Sequence, residues 1–134
     1  MVELEDLEVY KVAEEFSDAI WKIVSGWGRF AQDTLGRQVV PASDSIGANI
    51  AEGYGPYSFK ENVQFCYYAR GSLLETKHFL RRAHARNLLG DLESRTFMRE
   101  FERLIRLLNG YIRSIRSQVI RPGVASRARV TSDD

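Results

Sequence analysis

Apolar residues recur with helical spacing in the first half of the chain. The spacing predicts one amphipathic helix from about Leu7 to Ser25, with apolar positions at Tyr10, Val12, Ala13, Phe16, Ile20, Ile23 and Val24. A second helix is predicted from about Thr34 to Glu52, with apolar positions at Leu35, Val39, Ala42, Ile46 and Ile50. Pro41 falls inside this stretch and costs about 3 kcal/mol in a helix interior. We therefore expect the regular part of the second helix to begin at Pro41.

The second half of the chain carries two longer helical patterns. A third helix is predicted from Ser58 to about Asn87, with an apolar stripe at Phe59, Val63, Cys66, Leu73 and Leu80. Gly71 lies in its middle, where a small residue lets a neighbour approach closely, so we expect Gly71 to mark a helix crossing. A fourth helix is predicted from Asp91 or Ser94 to about Val119. Its three apolar positions per heptad are typical of a bundle helix.

The segment between the second and third helices combines a helix stop with a helix start. Gly53 and Gly55 are able to adopt left-handed backbone angles that end a helix, and Pro56 cannot continue one. Ser58 and Glu61 have the spacing of a capping box, in which the two residues satisfy each other's free backbone N–H groups. The segment therefore predicts a tight turn between two helices.

The order of these elements predicts the fold. No stretch alternates apolar and polar positions for long enough to be a strand, and the gaps between helices are short. We predict an all-α domain, an antiparallel up-down-up-down four-helix bundle over residues 1–120. Residues 121–134 are expected to form a flexible C-terminal tail. Trp27 and Phe30 lie in the first connection and are expected to cover the core.

Composition is consistent with one soluble domain. Of the 134 residues, 44% are apolar and 28% are charged, which allows a modest core and a polar surface. The acidic start of the chain does not resemble a secretory signal, and the longest apolar runs are too short for a membrane span. The single Cys66 cannot form an internal disulfide. We expect a cytoplasmic protein with no membrane partner.

Residues for catalysis or metal binding are sparse. His78 and His84 are six positions apart, on different faces of one helix, and no His or Cys pair has the spacing of metal ligands. A glycine-rich phosphate loop is also missing. Cys66 lies on an apolar stripe, which favours a buried structural thiol over a nucleophile. The expectation is a non-enzymatic protein with no metal, no cofactor and no small-molecule substrate.

Charge is distributed unevenly, although the net charge is only +1. Residues 1–57 hold four basic and ten acidic side chains, whereas residues 58–134 hold fifteen basic and eight acidic ones. Basic residues of the last two helices form a candidate RNA-binding surface: Arg70, Lys77, Arg81, Arg82, Arg95, Arg99, Arg103, Arg106, Arg113 and Arg116. Two alternatives remain, a solvated helix face or a protein-interaction scaffold in which these residues pair with acidic faces of neighbouring subunits.

Aromatic and apolar surface residues suggest self-association. Tyr54, Tyr57, Tyr67 and Tyr68 lie near the central turn, where they either stack on bases or, as we favour, cap the bundle or fill a subunit interface. The first helix carries apolar residues, including Trp21, around more than half of its circumference. Burying them between subunits predicts a homo-oligomer.

Several separated segments carry a family resemblance. They are residues 45–55 (SIGANIAEGYG), Ser58, residues 69–75 (ARGSLLE), residues 7–10 (LEVY) and residues 107–112 (LLNGYI). Together they resemble the four-helix-bundle proteins encoded in intervening sequences of bacterial 23S ribosomal RNA genes. The resemblance covers roughly residues 4–118.

This resemblance implies an antiparallel bundle that assembles as a ring-shaped homopentamer, with RNA as its expected ligand. The related accessory variability proteins of diversity-generating retroelements bind a reverse transcriptase and its RNA, so the resemblance implies these partners as well. Val40 and Pro41 replace a basic pair that the family often carries, which moves the expected RNA contact to the third and fourth helices. We interpret the family-motif residues as structural: Asn49, Glu52, Gly53, Ser58, Gly71 and Ser72.

Overall fold

The computed structural model describes residues 3–55 and 58–119. Over these ranges the chain forms four long helices and no strand: α1 (Glu8–Ser25), α2 (Arg37–Gly53), α3 (Phe59–Ala85) and α4 (Asp91–Val119). A short 3₁₀ turn, Leu4–Asp6, precedes α1. The predicted all-α class and four helices are confirmed. The predicted tail, residues 121–134, lies outside the described residues.

The path into α2 differs from the prediction. A helical turn at Arg29–Ala31 continues through a π-helical segment, Gln32–Gly36, directly into α2, so Pro41 lies well inside a regular helix. The expectation that the regular helix begins at Pro41 is wrong. Pro41 is exposed, and its carbonyl accepts a hydrogen bond from Ser45 Oγ at 2.8 Å. One missing backbone donor is therefore tolerated within a helix whose opposite face is buried.

The start of α3 follows the prediction. Ser58 Oγ accepts a hydrogen bond from the Glu61 backbone N–H at 3.0 Å, and Glu61 Oε1 accepts one from the Ser58 backbone N–H at 3.3 Å. These reciprocal bonds confirm the capping box. The predicted stop at Pro56 and the aromatic residue Tyr57 lie outside the described residues.

Gly53 closes α2 for a different reason from the one predicted. It is buried in the last turn of the helix and does not adopt left-handed backbone angles. A Cβ atom at this position would lie 2.7 Å from Asn62 Oδ1 and 2.9 Å from Phe65 Cβ. Glycine is thus required because α3 approaches the backbone of α2 this closely.

One hydrophobic core joins the four helices. Phe16 of α1 packs edge-to-face on Phe97 of α4, with ring centroids 6.2 Å apart. Thr76 on the buried face of α3 donates a hydrogen bond to the Ser72 carbonyl at 2.8 Å, so this polar group is satisfied inside its own helix. Large, fully buried side chains come from every helix: Phe16, Ile20, Ile46, Ile50, Leu73, Leu80, Leu104 and Leu108.

Of three predictions about single residues, one is confirmed and two are wrong. Trp27 is partly buried against the core and donates a hydrogen bond from Nε1 to the Leu88 carbonyl at 3.2 Å. Phe30 is 82% exposed and does not cover the core as expected. Gly71 marks no helix crossing, since it is exposed and no described atom lies within 4 Å of the position of a Cβ. Each described helix is too short or too polar to span a membrane.

Candidate nucleic-acid interface

Three of the predicted arginines meet in one cleft between α3 and α4. Arg70 lies on α3, and Arg113 and Arg116 lie one helical turn apart on α4. Tyr67 and Asn109 complete the principal polar lining of this space, which has a volume of about 400 Å³. We call this site the α3–α4 cleft.

The cleft is held in shape by its own hydrogen bonds. Arg70 Nη1 donates to Asn109 Oδ1 at 2.8 Å, and its guanidinium carbon lies 4.9 Å from the centroid of the Tyr67 ring. Arg116 Nη1 donates to the Tyr67 hydroxyl at 2.8 Å. The neutral partners orient two cations without cancelling their charge, because none of the described residues that line the cleft is acidic.

Other members of the predicted surface have partners within the subunit. Arg103 Nη2 lies 3.4 Å from Glu8 Oε2 of α1. The Lys77 ammonium lies 4.6 Å from the centroid of the Phe101 ring, a cation–π contact. Arg99 Nη2 donates to Thr96 Oγ1 at 3.4 Å. Of these three contacts, only that of Arg103 is with an acidic side chain, so the charge of Arg103 is partly neutralised.

The remaining predicted residues do not join the cleft. Arg81, Arg95 and Arg106 are exposed, and none of them lines it. Arg82 lines a second groove on the other side of α3. The ten basic residues therefore divide among several surfaces instead of forming one continuous stripe.

The second groove, which we call the α2–α3 groove, has a volume of about 810 Å³. Arg37 reaches it from the first turn of α2, His78 and Arg82 reach it from α3, and Arg86 reaches it from the position directly after α3. Arg37 was not among the predicted residues, because it lies in the half of the chain in which acidic residues outnumber basic ones. Only the packing of α2 against α3 places it beside other cations.

An apolar groove lies between α1 and α2, with a volume of about 500 Å³. Trp21, Val24, Val40 and Pro41 form much of its lining, and Trp21 is 62% exposed. Val40 and Pro41 stand where the resemblance would place a basic pair. Here they contribute apolar surface and not cationic charge.

Four of the six family-motif residues have structural contacts that can be described, whereas Gly71 is exposed and has no close neighbour from another of the described helices. Asn49 Nδ2 donates to the Ser45 carbonyl one turn back in α2, at 2.9 Å. Gly53 meets Asn62 and Phe65 of α3, and Ser58 caps α3. Ser72 accepts the Thr76 hydroxyl with its carbonyl. The Asn49 amide thus bonds within α2.

The Cys66 thiol is buried, and the His84 imidazole has an acidic partner. Cys66 is fully buried, and burial raises the pKa of its thiol to about 12. His84 Nε2 lies 2.8 Å from Asp91 Oδ1, and this partner lowers the pKa of the Asp91 carboxyl. No three His, Cys, Asp or Glu side chains among the described residues are grouped to hold a metal ion.

Comparison with known protein families confirms the resemblance. The sequence profile of a family described as 23S rRNA-intervening sequence protein matches residues 5–110, which is most of the chain. None of the curated proteins matches it. The matched range includes the turn into α3, Arg70 and Asn109, and it ends before Arg113.

Proposed function

Because the chain belongs to the family of 23S rRNA-intervening sequence proteins, we propose that it is a non-enzymatic, homo-oligomeric bundle that binds RNA through arginine-rich faces of α3 and α4. The observation that carries this proposal is the α3–α4 cleft. There Arg70, Arg113 and Arg116 converge around Tyr67, and no acidic residue is among the described lining.

The chemistry of the cleft suits the RNA backbone. A guanidinium presents a planar fork of donors that matches a phosphate group. Arg113 makes no ion pair with a described residue. Among the described residues, Arg116 bonds only the neutral Tyr67 hydroxyl. An incoming phosphate therefore need not displace a carboxylate. The half-buried Tyr67 ring adds an aromatic group of the kind that stacks on bases.

The proposed assembly is a ring of antiparallel bundles. Contacts between the end of α2 and the start of α3, at Gly53 and Asn62, support antiparallel neighbours. The shared α2–α3 groove, lined by the start of α2 and the last turns of α3, supports them as well. The family resemblance supports a homopentamer, and the exposed Trp21 on α1 is apolar surface that assembly would bury.

Charge reversal tests whether RNA binds in the α3–α4 cleft or is held by general electrostatic attraction. The variant Arg113→Glu/Arg116→Glu should lose most affinity for a short, labelled single-stranded RNA, measured by fluorescence anisotropy. Arg95→Glu/Arg99→Glu makes the same change of charge on α4 outside the cleft, and it should lose much less. Wild-type affinity should fall steeply between about 50 and 200 mM salt. Equal losses in the two variants would contradict the cleft, and no binding by the wild type would contradict RNA binding.

A reverse transcriptase is the protein partner that the resemblance to retroelement accessory proteins suggests. Such a partner would bring its own RNA to the bundle. A reverse transcriptase gene beside this one, and co-purification of the two proteins, would support that role. A ribosomal RNA locus in its place would favour the intervening-sequence setting.

A protein-interaction scaffold is the second candidate function. The ion pair between Arg103 and Glu8 favours it, since it joins an α4 arginine to the acidic first half of the chain. In a scaffold, similar pairs would form between subunits. That function requires oligomers that dissociate in salt and a purified protein that carries no RNA.

A further inference from the structure

The α2–α3 groove has a composition that the proposed function does not explain. Its rim carries three guanidinium groups, from Arg37 on α2, from Arg82 on α3 and from Arg86 directly after α3. Its floor includes Leu35, which is buried, and Phe79, which is partly buried against the core. The groove is thus cationic at its edge and apolar at its base.

The three arginines are not neutralised within the subunit. None of them forms an ion pair with a described residue. Asp33 is the acidic group in the lining, and its carboxylate already lies 3.3 Å from the Arg29 guanidinium. Like charges that share a groove repel one another, and an anion between them would relieve that repulsion.

The backbone beside the groove is also unusual. The π-helical segment Gln32–Gly36 supplies part of the lining and leads directly to Arg37. π-helical turns are rare and are frequently found at functional sites. Gly36 within it packs tightly, because a Cβ there would lie 3.0 Å from Val24 Cγ1 of α1. Packing against α1 therefore fixes the segment that positions Arg37.

We propose that the α2–α3 groove binds a terminal phosphate, carried either by a nucleoside 5′-monophosphate or by the 5′ end of an RNA. A terminal phosphate carries a charge of about −1.5 to −2 at neutral pH, whereas each phosphodiester of a backbone carries one negative charge. Three arginines match the larger charge. The volume of about 810 Å³ lies within the usual range of ligand sites, and Phe79 and Leu35 offer apolar surface to the attached nucleoside.

If the ligand is the 5′ end of an RNA, the inference rests on the proposed function, whereas it does not if the ligand is a mononucleotide. Two binding experiments distinguish these ligands. The first compares short 3′-labelled RNAs of one sequence that carry either a 5′-phosphate or a 5′-hydroxyl, by fluorescence anisotropy. The second compares uridine 5′-monophosphate with uridine by isothermal titration calorimetry. Both use the full chain and the variant Arg37→Gln/Arg86→Gln, with Arg81→Gln/Arg95→Gln as a control of equal charge outside the groove.

We expect the 5′-phosphate to strengthen RNA binding about tenfold in the wild type and in the control. The groove variant should lose this advantage and still bind the 5′-hydroxyl RNA through the α3–α4 cleft.

Binding of the monophosphate but not of RNA would support the groove while contradicting the proposed function. If the 5′-phosphate gives no advantage and the monophosphate does not bind, the inference is wrong, even where 5′-hydroxyl RNA binds. An advantage that persists in the groove variant would also overturn it. Circular dichroism checks that each variant is folded.

Discussion

Two helical glycines show how far a residue's role depends on its neighbours. A Cβ atom at Gly53 would meet Asn62 and Phe65 of α3 at less than ordinary contact distance, whereas one at Gly71 would meet no described atom within 4 Å. In a helix, alanine is favoured over glycine by about 1 kcal/mol when nothing else intervenes. Because of this packing, alanine should destabilise the protein at Gly53, whereas it should stabilise the protein at Gly71.

Substitution by alanine at each glycine tests this difference. Gly53→Ala should lower the free energy of unfolding by about 1–3 kcal/mol, since α3 must move to admit the methyl group. Gly71→Ala should raise it by about 0.4–1 kcal/mol. Chemical denaturation of the two variants measures both effects, and each variant is the control for the other. A stabilising Gly53→Ala would contradict the close approach, and a destabilising Gly71→Ala would indicate that another subunit packs on Gly71.

The sequence pointed to both glycines but gave each the wrong reason. It predicted left-handed angles at Gly53 and a helix crossing at Gly71. A glycine's backbone freedom and its small size are indistinguishable in the sequence, because both follow from the missing Cβ. Only the distance to the facing helix decides between them.

The carboxyl group of Glu100 is partly buried in the fold. Its Oε1 atom is buried and has no hydrogen-bond partner among the described residues. Burial raises the pKa of this carboxyl, and Glu15 adds to the effect, whereas Arg99 and Arg103 oppose it. The unfolded chain releases the proton near the ordinary value of 4.5, and the folded chain keeps it to higher pH. The fold therefore loses stability as the pH rises from that value to the raised pKa of the folded state, and above this pKa the loss is constant.

Removing this charge should stabilise the protein. Glu100→Gln is expected to raise the free energy of unfolding by less than about 1 kcal/mol at neutral pH, because a neutral amide costs less to bury than a carboxylate and solvent screens the exposed part of the group. The gain should shrink as the pH falls towards 4.5. Glu102→Gln, at an exposed position of the same helix, should change little. Thermal unfolding across this pH range measures the effect, and a gain that does not depend on pH would contradict the ionisation argument.

At the scale of helices, the spacing of apolar residues predicted all four long helices. It failed where the backbone geometry changes while the spacing of apolar residues stays helical. The π-helical segment Gln32–Gly36 and the uninterrupted helix through Pro41 were not predicted. The prediction at Pro41 used the free-energy cost that an internal proline has in an isolated helix. Here the buried side chains of α2, such as Ile46 and Ile50, stabilise the helix despite the missing hydrogen bond.

The start of α3 is a local feature that sequence predicted fully, since a capping box involves residues only three positions apart. Ser58→Ala should lower the free energy of unfolding by about 1 kcal/mol, because the Glu61 N–H loses its acceptor. Ser114→Ala, at an exposed position within α4, should be neutral or slightly stabilising. Urea denaturation compares the two. Equal stability of both variants would show that the cap contributes little.

At the scale of the molecule, the sequence predicted which residues are cationic but not how they are grouped. Helical spacing placed the arginines of α4 on one face, yet cross-helix contacts decide their roles. Arg103 bonds Glu8 of α1, Arg116 bonds Tyr67 of α3, and Arg82 shares a groove with Arg37 of α2. None of these partners is close in sequence, so no periodicity could have indicated them.

Salt separates the two candidate functions, because it screens exposed charges but not buried apolar contacts. If the arginines bind RNA and apolar surface such as Trp21 joins the subunits, raising salt from about 50 to 200 mM should release RNA. The protein should keep a mass of about 77 kDa, five times the 15.4 kDa of one chain. Light scattering after size exclusion, with absorbance to detect RNA, measures both quantities. The variant Arg113→Glu/Arg116→Glu is the control, and it should keep the oligomer at either salt concentration and carry no RNA. An oligomer that dissociates in salt, or in this variant, would instead place the arginines between subunits and favour the scaffold.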